Sequence, residues 1–396
     1  MAVANNTVQV NHIVMNSLPD YDVIIVGGGL GGLVSSILLS RSGINVLLIE
    51  KKTYPYNKVC GEYVSNEVLT FLQSIGFDPF QFGASSIHKL RISTPSGKNI
   101  YTELKQGGFG LSRYKMDAAL AELATQNGAT VYTNTRVNDI VFNDSHFEIS
   151  TPAGHVYTSK LVIGSYGKRD TLDKKLNRSF INYQTGYMGV KYHIKTNYPI
   201  DEIGLDTFEN GYCGIVKIED DKYNLCYLYR RDKGKTINSI NQLQEEIMFN
   251  NPCIKTIFNQ STFIDKDPEV INEVSFRAKA TVENHVLMCG DSAGLITPLC
   301  GNGMSMAIHA AKILSELIIS SSILKHPVIP AAERASLELR YIQQWNRQFK
   351  SRLTYGRMIQ SMFGNKLINE ISLRSLHAFP PLERWLISRT HGKEIL

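Results

Sequence analysis

The chain has 396 residues, of which 43% are hydrophobic and 20% are charged. That is enough apolar sequence for a large buried core, and the length is too great for one simple domain. No apolar run reaches the length of a membrane-spanning helix, and no compact Lys/Arg block marks a nucleic-acid-binding protein, so neither class is expected.

The formal net charge of +6 is concentrated towards the C-terminal end. From Tyr341 onward there are nine Lys or Arg and three Asp or Glu, which leaves 33 residues of each sign in the first 340. Two interpretations of this basic tail are open: a solvated helical face, or contact with an anionic membrane surface.

The first residues and the cysteines point to the same compartment. The segment "MAVANNTVQVNHIVMNSLPD" lacks the basic and apolar regions of a signal peptide, so residues 1–19 are expected to form a flexible extension. Six scattered cysteines without a C-x-x-C pair suit free thiols in a reducing cytoplasm. No residues have metal-ligand spacing, and no metal site is predicted.

The strongest local pattern begins at "YDVIIVGGGLGGLVSSILLSR". Tyr21–Val26 is a short, β-branched apolar run, typical of a buried parallel strand. Gly27, Gly29 and Gly32 follow with G-x-G-x-x-G spacing, and residues 30–41 are predicted to form a helix. In such a unit the first glycine allows a tight turn, the second admits a pyrophosphate and the third allows close helix packing. The helix N-terminus favours the phosphates.

A second strand completes this unit. Gly43 is expected to end the helix, residues 45–49 to form the strand, and Glu50 to stand at its end, where an acid accepts a bond from a ribose 2′-OH. A strand, glycines, a helix, a strand and an acid within about 30 residues predict a dinucleotide site, for either NAD or FAD.

The segment "YPYNKVCGEYVS" comes next. At Pro55, Lys58, Cys60, Gly61 and Ser65 it resembles the P-x-x-K-x-C-G-x-x-x-S element of geranylgeranyl reductases. In that family the segment folds over the flavin, so the resemblance implies that Cys60 lies near the isoalloxazine and faces the substrate cavity.

The chemical roles in this segment stay open. Cys60 is a pocket-shaping residue, a group that tunes or protonates the reacting centre, or a redox thiol. Lys58 and Glu62 are either acid–base groups or solvated loop charges. Ser65 is predicted to cap a helix that begins next to it.

Residues 86–103 are predicted to form a hairpin. Two segments after it resemble elements of the FAD-dependent hydroxylase and geranylgeranyl reductase superfamily. "GLSRYKMDAALAEL" resembles the R-x-x-x-D-x-x-L element, in which the arginine, here Arg113, lies near the cofactor. In "LVIGSYGKRD", Tyr166 stands where an Asp-Gly pair usually helps to hold FAD and NAD(P)H, so ordinary NAD(P)H docking is in doubt.

Residues 180–232 are predicted to form antiparallel strands that wall the substrate cavity. They are rich in tyrosine, and alternation is expected to place half of the rings on one face, which suits an apolar or aromatic substrate. "GYCGIVK" has Tyr212 but lacks the Trp and Pro of the Y-x-W-x-F-P motif of archaeal geranylgeranyl reductases, and the W-x-W-x-I-P motif of flavin halogenases is absent.

The segment "HVLMCGDSAGLITPLCGNGMSMAIHAAKI" resembles the second flavin fingerprint of the FAD-dependent hydroxylase and geranylgeranyl reductase superfamily. The resemblance implies FAD, with Asp291 on the ribityl chain and residues 298–304 beside the isoalloxazine. The helix after Asn302 is expected to point its N-terminus at the flavin. The predicted cofactor residues here are Gly290, Asp291, Pro298, Gly301, Asn302 and Gly303.

The tail from residue 330 is predicted to be helical. Ile342, Trp345, Phe349 and Leu353 are spaced as a core-facing stripe. A break at Pro380-Pro381 is followed by Trp385, which allows a lid or a membrane-surface role.

The predicted fold class is α/β: a Rossmann-type FAD-binding domain with a parallel sheet, interleaved with an antiparallel-sheet substrate domain, plus a helical C-terminal region. The FAD-binding domain is assigned to residues 20–85, 105–175 and 276–325. The substrate domain is assigned to residues 86–104 and 176–275, and the helical region to residues 326–396.

The resemblance implies an FAD-dependent oxidoreductase of this superfamily, and three functions are open for it. Reduced flavin delivers hydride to a C=C bond of a hydrophobic small molecule, or it reacts with O₂ and hydroxylates an aromatic or polyene substrate. The third is a non-catalytic flavin-binding protein. NAD(P)H or a reductase partner would supply the electrons.

Overall fold

A computed structural model describes residues 18–232, 237–297, 301–362 and 392–396. The predicted extension up to residue 17, Pro298, and the Pro380-Pro381 break with Trp385 lie outside the described residues.

The described strands are β1 (Tyr21–Val26), β2 (Val46–Ile49), β3 (Tyr63–Ser65), β4 (Ser85–Ser93), β5 (Asn99–Gly110), β6 (Thr130–Tyr132), β7 (Asp139–Asn143), β8 (His146–Ser150), β9 (Val156–Gly164), β10 (Tyr187–Lys195), β11 (Glu202–Phe208), β12 (Gly211–Lys217), β13 (Tyr223–Arg230), β14 (Thr262–Phe263), β15 (Glu269–Asn272), β16 (Val282–Glu283) and β17 (Val286–Met288). The described helices are α1 (Leu30–Arg41), α2 (Leu69–Ser74), α3 (Arg113–Gln126), α4 (Thr171–Lys175), α5 (Ile240–Glu246), α6 (Pro252–Gln260), α7 (Gly303–Ser321) and α8 (Ala331–Met362).

β1 lies inside the first sheet, whose order is β16-β17-β9-β1-β2-β6. It pairs in parallel with β2 and β9, and its residues 23–26 are buried, as expected for a continuous apolar run in a parallel sheet. The predicted bounds of β1 and α1 are confirmed, and β2 begins one residue later than predicted, at Val46.

The second sheet has the order β14-β10-β13-β12-β11-β4-β5-β3, with β15 also paired to β10. Its neighbours are antiparallel apart from the parallel pair β11 and β4. The predicted hairpin is confirmed as β4 and β5, and the predicted antiparallel strands as β10, β12 and β13. β11 is a strand that the sequence pattern did not reveal.

These two sheets confirm the predicted fold class. β3 and the end of β5, as far as Gly110, belong to the antiparallel sheet although the predicted boundaries assign them to the FAD-binding part. The domain boundaries themselves stay a prediction.

The antiparallel sheet has two different faces. The strands of this sheet carry six tyrosines, half of which were expected on the cavity face. Four of the six pack in a core against α5 and α6: Tyr192, Tyr223, Tyr227 and Tyr229. Tyr227 also contributes to the cavity wall, but its hydroxyl accepts a hydrogen bond from Gln244 of α5. Tyr212 lines the cavity on the opposite face. Two of these six tyrosines therefore line the cavity, and most of the six serve the packing of the sheet.

α8 packs along the parallel-sheet core through Tyr341, Trp345, Phe349 and Leu353. Tyr341 takes the place predicted for Ile342, which is only partly buried. Trp345 packs against the backbone at Gly294, so this tryptophan serves the core and not the surface. Among the described helices, none is both long and apolar enough to cross a membrane.

Candidate active site

A cavity of about 600 Å³ lies between the two sheets. Its volume is within the range of small-molecule and cofactor sites. The predicted site residues that line it are Gly27, Gly29, Glu50, Lys58, Cys60, Arg113, Gly290, Asp291, Gly301 and Gly303. Gly32 and Asn302 are buried behind its wall. One cavity thus collects residues from both flavin fingerprints and from the Cys60 loop.

The three glycines of the first fingerprint have different surroundings. Gly27 has φ +104, and a Cβ there would collide with the carbonyl of Ser165. A Cβ on Gly32 would collide with the carbonyl of Gly27. The nearest atoms to a Cβ on Gly29 are 3.9 Å away, on Arg113 and Ser165. Gly29 therefore opens onto cavity space at the N-terminus of α1, where a pyrophosphate is predicted to bind.

Glu50 fastens the glycine loop to the end of β2. One carboxylate oxygen accepts from the Gly28 amide at 2.7 Å, and the other accepts from the Lys52 amide at 3.0 Å. Each oxygen has a second lone pair, so these bonds leave room for the ribose contact, which stays a prediction.

Lys58, Asp117 and Arg113 form a charged cluster beside the glycine loop. Arg113 holds Asp117 with two bonds of 2.6 and 2.7 Å, and the Lys58 ammonium lies 2.8 Å from the same carboxylate. Burial opposes ionisation of Asp117, but Arg113 and then Lys58 lower its pKa. Arg113 and Lys58 supply cationic donors beside the glycine loop, which suits a pyrophosphate.

The position of Lys58 corrects the prediction of a solvated loop charge. Its ammonium also donates to the carbonyl of Gly28 at 3.3 Å, and burial lowers its pKa despite Asp117. Lys58 is therefore engaged with the glycine loop of the first fingerprint, and its acid–base role stays a prediction.

The second fingerprint has its own buried lysine. Lys279 donates to the carbonyl of Asp291 at 2.8 Å and to that of Lys168 at 2.7 Å, and burial lowers its pKa to about 8. It fixes the backbone at Asp291, and the first residues of α7, Gly303 and Met304, line the same cavity. Two helix N-termini and the Lys58 cluster thus face one cavity, which fits an extended dinucleotide such as FAD.

Comparison with protein-family models decides the cofactor class. The model described as "FAD binding domain" matches residues 20–321. The chain belongs to the FAD binding domain family. This flavoprotein is an FAD-dependent oxidoreductase with geranylgeranyl reductase-like relatives.

Curated relatives of this flavoprotein are distant. Digeranylgeranylglycerophospholipid reductase 2 of Methanothermobacter thermautotrophicus is 23% identical over 374 residues, which are 90% of this chain and 91% of the relative. Conditioned medium factor receptor 1 of Dictyostelium discoideum is 24% identical over 329 residues, or 76% of this chain. That match spans 64% of the receptor's own length.

Solved structures share the fold of this flavoprotein. The flavin-dependent brominase Bmp2 has a TM-score of 0.74 at 17% identity, and the match covers 93% of each chain. A geranylgeranyl bacteriochlorophyll reductase-like protein from Thermoplasma acidophilum has a TM-score of 0.72 at 18% identity, covering 88% of this chain and 90% of its own.

The Cys60 loop is fastened over the antiparallel sheet. Lys168 donates to the carbonyl of Val59 at 3.3 Å, and Lys191 donates to that of Lys58 at 3.2 Å. A methyl group of Val59 lies close to Gly189 on β10. Cys60 itself is half-buried and lines the cavity, and its place beside the isoalloxazine stays a prediction.

Glu62 is fully buried, which corrects its prediction as a solvated charge. Its carboxylate contacts Lys191 at 2.6 Å, His193 at 2.8 Å and the amide of Arg113 at 2.9 Å. Burial opposes ionisation, but Lys191 and then His193 lower the pKa of Glu62. The carboxylate therefore anchors the loop that carries Cys60.

Sequence reasoning missed Lys191, His193 and Cys226. Lys191 and Cys226 are directly opposite each other on β10 and β13, and Cys226 lines the cavity. Burial raises the pKa of the Cys226 thiol to about 12. The available signal was the alternation in "VKYHI", where two ionisable residues interrupt an otherwise apolar strand.

Proposed function

We propose that this flavoprotein reduces a C=C bond within an aliphatic, isoprenoid-type chain. The observation that carries the proposal is the face that the antiparallel sheet presents to the cavity. Its side chains are mainly aliphatic: Leu90, Ile92, Leu104, Ile203, Leu205, Val216 and Leu228. A wall of this kind binds a flexible hydrocarbon by burial of apolar surface and offers few polar groups to orient a hydroxylated aromatic ring.

The relatives support the same substrate class. Several are named digeranylgeranylglycerophospholipid reductases, and they match this chain over three quarters of its length or more. The P-x-x-K-x-C-G element agrees with that likeness. The missing Trp and Pro near Tyr212 indicate that the chain of the substrate is gripped differently here.

FAD, when bound and reduced, supplies a hydride for one alkene carbon. Lys58, Arg113 and the N-terminus of α1 hold the pyrophosphate end. The aliphatic face of the sheet keeps water from the alkene. In this proposal Cys60, which lines the cavity, gives its Sγ proton to the second alkene carbon.

Product analysis under argon and under air tests this function. The purified enzyme is reduced chemically, mixed with an isoprenoid lipid, and the products are identified by mass spectrometry. We expect a gain of two mass units per reduced bond, formed without O₂. A product that needs O₂ and contains one added oxygen atom would instead support hydroxylation and reject the proposal.

Tyr166 leads to a prediction about the electron donor. It lines the cavity, and its hydroxyl lies 3.4 Å from the sulfur of Met288, in the place where the superfamily has an Asp. We expect anaerobic reduction by NADPH alone to be slower than about 1 s⁻¹, the low end of ordinary turnover. Stopped-flow bleaching of the flavin band measures this rate. Tyr166→Asp is the comparison variant, and fast reduction of the wild type would contradict the prediction.

A further inference from the structure

Three buried ionisable side chains lie together behind the Cys60 loop. Glu62 is completely buried, Lys191 is 2% exposed and His193 is 6% exposed. Glu62 also has φ +54, a conformation that costs free energy in a residue other than glycine. Removing three such groups from water costs free energy even when they are paired. A structural anchor for one loop does not require three buried ionisable groups.

The cluster reaches solvent at one end. Nε2 of His193 faces Glu62 at 2.8 Å, and Nδ1 faces Asp265 at 4.0 Å. The Asp265 side chain is 41% exposed. Each imidazole nitrogen therefore faces a carboxylate, and one of these carboxylates is in contact with water. The separation of 4.0 Å is longer than a direct hydrogen bond, so proton transfer at this step needs a small movement of the exposed Asp265 side chain towards the ring.

The other end of the cluster reaches the cavity. Lys191 lies 2.6 Å from Glu62 and donates to the carbonyl of Lys58, two residues before Cys60. On the same face of the sheet, Lys191 stands opposite Cys226 of β13 and Glu269 of β15, both of which line the cavity. A series of ionisable groups thus runs from the surface, at Asp265, to the backbone of the loop that carries Cys60, which Lys191 contacts at the carbonyl of Lys58.

We propose that Asp265, His193, Glu62 and Lys191 form a proton relay that restores the proton on Cys60 after each alkene reduction. This inference rests on the proposed function, because alkene reduction consumes one proton per turnover. Asp265, His193, Glu62 and Lys191 act through Cys60 and are positioning residues.

The protons and electrons balance in this scheme. Cys60 loses its Sγ proton to the alkene carbon beside the one that receives hydride, and it is left as a thiolate. An N–H proton of Lys191 moves to that thiolate. Glu62 accepts a proton from His193 at one oxygen and releases one to Lys191 from the other, and His193 recovers its proton from water through Asp265. The relay moves protons only, since both electrons arrive with the hydride.

The choice of variant follows from burial. Glu62→Gln would leave Lys191 buried without its charge partner, so loss of activity in that variant would not separate proton transfer from folding. Asp265 lies at the surface, and Asp265→Asn keeps its shape. Asp267→Asn, an exposed aspartate of the same loop, is the matched control.

The first measurement needs no turnover. In the full-length protein as purified, with ¹⁵N-labelled histidine, NMR gives the exchange rate of the His193 ring proton with water, and His193→Gln assigns the signal. We expect Asp265→Asn to slow this exchange on the order of tenfold, less than the loss of a group that acts on substrate directly. Asp267→Asn should leave it unchanged. Equal rates in the wild type and Asp265→Asn would overturn the relay.

The second measurement follows turnover under argon in H₂O and D₂O. If the relay returns the proton, Asp265→Asn raises the solvent isotope effect on kcat and leaves chemical reduction of the flavin as fast as in the wild type. If Asp265 had only a structural role, Asp265→Asn would not change the solvent isotope effect while leaving flavin reduction as it is. An unchanged isotope effect therefore counts against the relay. If the wild type forms no saturated product, the proposed function is wrong. The exchange rate of the His193 ring proton would then test the relay by itself.

Discussion

Replacing Gly29 with valine is expected to abolish the yellow colour of the purified protein while leaving its fold intact. The backbone at Gly29 has φ −85, which any residue adopts, and a Cβ there would have 3.9 Å of clearance. The isopropyl group would instead occupy the cavity at the N-terminus of α1, where the pyrophosphate is predicted to bind. We expect FAD affinity to fall at least about 100-fold, which corresponds to about 2.8 kcal/mol.

Fluorescence titration of the FAD-free protein with FAD measures this affinity, and a thermal melt reports the fold. Gly32→Val is the contrasting variant, because its Cβ would collide with the carbonyl of Gly27. Overpacking of this kind costs about 1–3 kcal/mol or more, so Gly32→Val should melt earlier even without FAD. Normal FAD binding by Gly29→Val would show that the pyrophosphate lies elsewhere.

Residues 21–50 were the most predictable part of this fold. β1, the glycine turn and α1 are specified by residues that contact each other locally, so hydrophobic period and glycine spacing are sufficient. Gly27 carries the positive φ that the turn requires, and Gly32, in the first turn of α1, lies against the carbonyl of Gly27.

The face of the antiparallel sheet was not predictable in the same way. Alternation separates Tyr212 from its neighbours, but both faces of this sheet are buried, one by α5 and α6 and the other by the cavity. With no polar face to mark the outside, the pattern does not tell which set of side chains meets the ligand. Most of the tyrosines pack on the helices, and a mainly aliphatic set lines the cavity.

The cluster behind Cys60 was hidden for a different reason. Glu62 and Lys191 are 129 residues apart, and Glu62 and His193 are 131 apart. The neighbouring sequence does not distinguish a solvated loop glutamate from a buried one. Their partnership appears only when β10 is placed beneath the loop, which is a property of the tertiary fold.

The largest catalytic effect is expected for Cys60→Ser. Serine keeps nearly the same volume, so the loop, its contact with Gly189 through Val59 and the FAD site should remain as they are. The hydroxyl is a much weaker acid than the thiol, however, and the proton for the second alkene carbon would arrive slowly. We expect turnover to fall by about 10²-fold or more, the usual scale for loss of a general acid.

The matched control is Cys226→Ser, at a second thiol that lines the same cavity. Burial raises the pKa of Cys226 to about 12, so this thiol holds its proton and its replacement should cost little turnover. Chemical reduction of the flavin should be equally fast in both variants and in the wild type, because no thiol proton is needed for that step. If Cys60→Ser forms saturated product at the wild-type rate under argon, Cys60 shapes the pocket only, and the proton must come from another group on the cavity wall.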